Sequence, residues 1–213
     1  MIVDAGLERV VNLGTDCSIE PDIDYSSCDD DDCIDHGMGY HSYTNASNLG
    51  GFEARLCSKE KDLQANLIKL QQVFDKCKAT VNETCGLHVH LDMRQRKPMV
   101  TLGNLFEKHK EIRSMVPKHR RDNDQYCDEA DPVEAYSDLA DMVYNRGRDG
   151  CKYRDISVDT YHRLKTFEIR IHQGTVNMKA VYNWCAYLIH VADAKPLTSW
   201  LKRYVTTSKK TWA

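Results

Sequence analysis

The stretch Cys85-Gly86-Leu87-His88-Val89-His90-Leu91-Asp92 places two imidazoles one residue apart in an apolar run. Side chains alternate across a strand, and residues i and i+2 share a face about 6.5–7 Å apart. Leu87, Val89 and Leu91 then form one side, and His88, His90 and Asp92 the other. Two further segments repeat this division. In Gly51–Cys57, Phe52, Ala54 and Leu56 oppose Glu53 and Arg55. In Lys165–Gly174, Phe167, Ile169 and Ile171 oppose Thr166, Glu168, Arg170 and His172. If the three segments pair in one sheet, their apolar faces pack on helices and their polar faces form a floor of carboxylate, imidazole and guanidinium. A solvated antiparallel face also alternates, but it ordinarily carries Lys, Thr, Ser and Glu, whereas this one uses His, Glu and Arg with no Lys among the alternating positions. This floor has the groups that hold a divalent cation and phosphate oxygens.

Around these segments the pattern is helical. Leu63, Leu67, Leu70, Phe74 and Cys77 mark a helix over 59–78. Pro98 opens another that runs to about Val116 and stops at Pro117. A third is expected over 132–145, a largely buried one over 177–193 carrying Trp184 and Tyr187, and a shorter amphipathic one from Pro196, with 206–213 frayed. Residues 22–50 are polar and acidic without period and read as a loop insertion. The whole reads as one α+β domain over 1–213, a curved, mostly antiparallel sheet packed on helices.

Bulk properties narrow the class. The 213 residues are 41% hydrophobic and 29% charged, with net charge −3. That balance gives no basic field for nucleic acid, and no run has the length of a membrane span. The first residues lack the basic start and apolar core of a secretory signal. Nine cysteines are then expected mostly as thiols in a cytoplasmic protein. Cys28, Cys33, His36 and His41 have a loose zinc-like spacing that matches no standard finger, so a solvated acidic loop is the simpler reading. Cys85 reads as a small buried residue at a strand start. Lys118, His119, Arg120 and Arg121 form either a solvated helix end or an anion clamp.

Three segments, 82–93, 117–127 and 165–184, resemble the amidoligases in order and approximate spacing. These are ATP-dependent carboxylate–amine ligases with the fold of glutamine synthetase and glutamate–cysteine ligase. Thr15–Ser18 and the Glu53 strand resemble further family segments. The resemblance implies a glutamine synthetase-like catalytic domain, with ATP and Mg2+ as cofactors and small-molecule or peptide carboxylates and amines as substrates. Residue by residue it implies His88, Glu168 and Glu53 as metal ligands. His90 and Arg170 become phosphate contacts, and Arg120 and Arg121 bind phosphate or substrate. Glu53, Arg120, Arg121, Glu168 and Arg170 make up its catalytic set. One departure is visible: the family's first strand carries Glu-x-Glu, and none precedes Asp4. The resemblance then implies a second chain that supplies the strand, substitution by the acidic segment, or a degenerate member that binds a nucleotide or a partner without catalysis. A zinc hydrolase built on His88 and His90 is a further option, which Glu-x-Arg fits less well.

Overall fold

The computed structural model describes residues 5–7, 10–15, 33–35, 41–43, 52–122, 127–144 and 153–212. The described chain forms two compact units, Met1–Cys85 and Gly86–Ala213.

In the first unit β1 (Val11–Thr15) runs antiparallel to β4 (Phe52–Leu56), with Gly14 opposite Glu53. Within the expected loop 22–50, β2 (Cys33–Asp35) and β3 (His41–Tyr43) form a short antiparallel pair. The rest of that segment, with Cys28 and His36 of the zinc-like set, lies outside the described residues. Helix α1 (Glu60–Cys77) follows the expected period and buries Leu67, Leu70 and Val73. Glu60 and Asp62 sit in its first turn and Lys76 in its last, matching the helix dipole. Lys78 closes it in the left-handed conformation at φ 54°.

In the second unit β5 (Gly86–Asp92), β6 (Ile156–Ser157) and β7 (Thr166–Gln173) form an antiparallel sheet in the order β5–β7–β6. Among the described pairings, the Glu53 strand joins β1, and only the segments at 88 and 168 pair with each other.

Helices cover one face of this sheet. They are α2 (Pro98–Glu107), α3 (His109–Ser114), α5 (Pro132–Val143), α7 (Met178–Ala192) and α8 (Ser199–Thr211). Single turns α4 (Lys118–Arg121) and α6 (Tyr161–Leu164) lie between them in sequence. Phe167, Ile169 and Leu91 from the sheet pack with Leu105, Ile112, Leu139, Trp184, Leu188 and Leu201 in one core. Each fully buried side chain of this kind contributes about 1.5–3 kcal/mol over an exposed one. No helix among the described residues is long and apolar enough to cross a membrane.

Two helix expectations change. The helix from Pro98 breaks at Lys108, whose N–H bonds to Leu105 O only three residues back, and α3 then carries His109 inward. The last helix continues to Thr211 because Leu201 and Val205 anchor it in the core and Lys209 pairs with Glu111.

Candidate active site

Antiparallel pairing places His90 directly opposite Glu168, with Asp92 opposite Thr166. The register then slips between Leu87 and Val89. Leu87 pairs with His172 and Val89 with Ile169, so Arg170 and Ile171 together oppose His88. This is a bulge: one strand gains a residue, bends, and changes phase beyond that point. Glu168 and Arg170 precede the phase change and share the polar face. His172 follows it. The even spacing put His172 on the polar floor, and the structure instead packs its ring against Trp184, with centroids 4.8 Å apart. Burial there pushes the His172 pKa down.

The polar face converges on one oxygen. Arg170 Nη1 donates to Glu168 Oε1 at 2.8 Å. His88 Nδ1 lies 3.2 Å from the same oxygen and His90 Nε2 3.7 Å. The Glu168 side chain is 7% exposed, against 28% for His88 and 41% for His90. Burial alone would raise the Glu168 pKa. The His88 hydrogen bond and the Arg170 charge outweigh it and hold the carboxyl below its ordinary value. The result is a buried carboxylate that keeps its charge, open to solvent on the imidazole side.

Several groups position this cluster. Arg170 is fixed at its backbone, where its N–H donates to Asp155 O at 2.9 Å. Its guanidinium lies 5.7 Å from the Tyr153 ring centre, a cation–π contact. The Asp155 carboxylate is fully buried and pairs with His109 Nε2 at 2.8 Å, Arg113 Nη1 at 2.6 Å and the Ala130 N–H at 3.0 Å. Nothing in the alternation of the strands pointed to Asp155 or Tyr153. The one signal in the sequence is an acid, Asp155, that leads directly into the alternating run Ile156-Ser157-Val158.

Arg120 is buried, and its guanidinium meets the bulge itself. Nη2 donates to Arg170 O at 2.9 Å and Nε to Ile171 O at 3.4 Å. Carbonyls turned out of the ladder by the bulge thus find donors. Arg120 Nη2 and His88 Nε2 both crowd Gly86. A Cβ there would lie 3.2 Å from the first and 2.9 Å from the second. Arg121 points elsewhere, its Nη2 donating to Trp212 O at 3.1 Å. Glu53 belongs to the first unit, where it accepts from Arg55 Nε at 2.6 Å. Within the second unit the structure therefore gathers His88, His90, Glu168 and Arg170, sets Arg120 behind them, and directs Arg121 elsewhere. Among the described residues no three His, Cys, Asp or Glu side chains are disposed to hold a metal ion by themselves.

The second unit thus carries an ionised carboxylate flanked by two imidazoles and an arginine on a short antiparallel sheet. The model of a family described as "putative amidoligase enzyme" matches residues 57–192, more than half of the chain, and the chain belongs to that family. The match includes His88, His90, Arg120, Arg121, Glu168 and Arg170 and begins after Glu53. Comparison with curated proteins and with solved structures gives no match.

Proposed function

We propose that this amidoligase is an ATP- and Mg2+-dependent carboxylate–amine ligase that forms an amide or peptide bond through an acyl phosphate. The observation that carries the reading is the convergence of His88, His90 and Arg170 on Glu168 Oε1 in a chain of this family. A carboxylate resists attack by an amine because its own charge repels the nucleophile. Conversion to an acyl phosphate removes that charge and provides a leaving group. Phosphoryl transfer depends on charge neutralisation and in-line placement more than on covalent help from the protein.

The donor set suits a cation that arrives with phosphate. Magnesium is commonly held by one or two carboxylates plus substrate phosphates and water, not by a complete protein cage. Glu168 would supply that carboxylate, and His88 is the imidazole nearest to it. When bound, magnesium would neutralise phosphate charge. The remaining work falls to the chain. Arg170 presents a planar fork of donors suited to phosphoryl oxygens, and the pairing with Glu168 fixes its direction. Glu168 keeps a negative charge because His88 and Arg170 compensate its burial.

The test is ADP release by the purified protein with MgATP and a mixed pool of amino acids and amines. Release that requires both a carboxylate and an amine supports the reading, and Arg170→Ala then loses roughly 10³-fold in rate while circular dichroism stays native. Binding of MgATP without any release overturns catalysis, and turnover near wild type in the variant overturns the role of Arg170.

A further inference from the structure

The His90 ring is held from behind by Thr166, which a second threonine, Thr160, supports. Helix α6 is a single turn, capped by Thr160 and closed by Lys165 in the left-handed conformation at φ 54°. The chain therefore doubles back, and Thr166, the first residue of β7, returns to Thr160. Thr160 Oγ1 donates to Thr166 O at 2.9 Å, and a carbonyl can only accept. With that proton committed, the 3.0 Å contact between the two hydroxyls is donated by Thr166. Thr166 Oγ1 then has no proton left for His90, whose Nδ1 lies 3.1 Å away, so Nδ1 must be the donor. The bond made by one ring nitrogen sets the state of the other.

We propose that Thr166, backed by Thr160, is a positioning residue that keeps the proton of neutral His90 on Nδ1 and turns Nε2, as an electron-pair donor, toward Glu168 and a divalent cation bound there. His90 Nε2 and Glu168 Oε1 are then two acceptors 3.7 Å apart, an arrangement that attracts positive charge. A hydrogen-bonded Nδ1–H behind a ligating Nε2 is the usual outer support of a metal-binding histidine. A neutral ring in this state cannot donate from Nε2 to a phosphate, the task the resemblance implies for it. The use of the site for a cation rests on the function proposed above. The tautomer rests on the hydrogen bonds alone.

The experiment labels histidine with 15N and reads the His90 ring at a pH where it is neutral, without nucleotide. Wild type is expected to carry the proton on Nδ1. Thr166→Val, which keeps the β-branched shape, shifts it toward Nε2, and Thr166→Ser restores the wild-type pattern. A wild-type ring protonated on Nε2 overturns the proposal, as does a Thr166→Val spectrum identical to wild type. If Thr166→Val does not fold, the wild-type and Thr166→Ser spectra still decide the tautomer. Titration with Mn2+ as the probe then tests the cation. Affinity is expected to fall about 10-fold in Thr166→Val, and equal affinity in both proteins overturns the cation assignment. Neither measurement uses turnover, so a protein without ligase activity can pass both, and an active ligase can fail both.

Discussion

Replacing Arg120 by methionine isolates the contribution of the brace behind the bulge. Arg120 is 2% exposed, so its carbonyl partners have little access to replacement water. Methionine fills the volume of the aliphatic stem and removes both donors. The bond to Arg170 O at 2.9 Å is charge-assisted and well placed, and the one to Ile171 O at 3.4 Å is weak. A buried acceptor left unsatisfied costs about 1–3 kcal/mol. Removing a desolvated guanidinium returns part of that cost. The net expectation is a loss of about 2–4 kcal/mol, a large fraction of the ~5–15 kcal/mol typical of a domain. Urea denaturation followed by tryptophan fluorescence reads the second unit through Trp184, which is fully buried in its core. With a slope of about 1–3 kcal/mol/M, the midpoint falls by roughly 1–2 M. Arg120→Lys, a point donor that cannot serve both carbonyls, falls between the two. A midpoint shift under about 0.3 M at unchanged slope would refute the claim that the bulge carbonyls depend on Arg120.

Other perturbations separate fold from site. Gly86→Ala puts a Cβ 2.9 Å from His88 Nε2, the tip of a ring that can swing away, so stability falls by less than about 1 kcal/mol while His88 leaves Glu168. Histidine NMR checks this, and an unmoved His88 resonance contradicts it. Asp155→Ala strands His109 and Arg113 without their buried acceptor. It costs about 3–5 kcal/mol, seen as a melting temperature lower by about 10 °C or more, and a change under 3 °C rules that out. Glu111 is pulled two ways: burial raises its pKa, and bonds from Lys209 and Tyr187 lower it further, leaving the carboxyl below its ordinary value. Its contribution is therefore complete above that ordinary value, near 4.5, and fades as pH falls through the native one. Glu111→Gln is expected to destabilise more at pH 7 than at pH 3, and a gap independent of pH would show that Glu111 contributes no charge-dependent stability.

Hydrophobic period made part of this molecule legible in advance. Helix α1 and helix α7 lie within a residue or two of where the apolar pattern around Leu67, Leu70, Trp184 and Tyr187 put them. The inward set Phe167, Ile169 and Ile171 is fully buried as alternation requires. Pairing partners were not legible, because three segments with the same two faces satisfy the same pattern whether they share a sheet or not. The break at Lys108 was hidden for a related reason. Apolar spacing continues through Ile112, and only the buried bond from His109 to Asp155 shows why the axis changes. Arg120 and Arg121 are adjacent and chemically equal in sequence. Their different tasks depend on which one a single helical turn directs at β7.

The bulge is what period-two reading could not see, and it accounts for much of the site. In a β7 of the same sequence that ran on without a bulge, His172 would continue the face of Glu168 and Arg170, and His88 would face a single partner. With it, the strand changes phase at the point where Gly86 leaves room for His88 Nε2 and Arg120 Nη2. His172 turns into the core against Trp184, and two carbonyls turn toward a buried guanidinium. The spacing of Glu168 and Arg170 functions because both residues come before the phase change. A deletion of Ile171 that restored regular pairing would therefore keep His172 opposite Leu87 on the apolar face, remove the Ile171 carbonyl and return the Arg170 carbonyl to the ladder, so Arg120 would lose its acceptors even though every residue expected at the site would still be present.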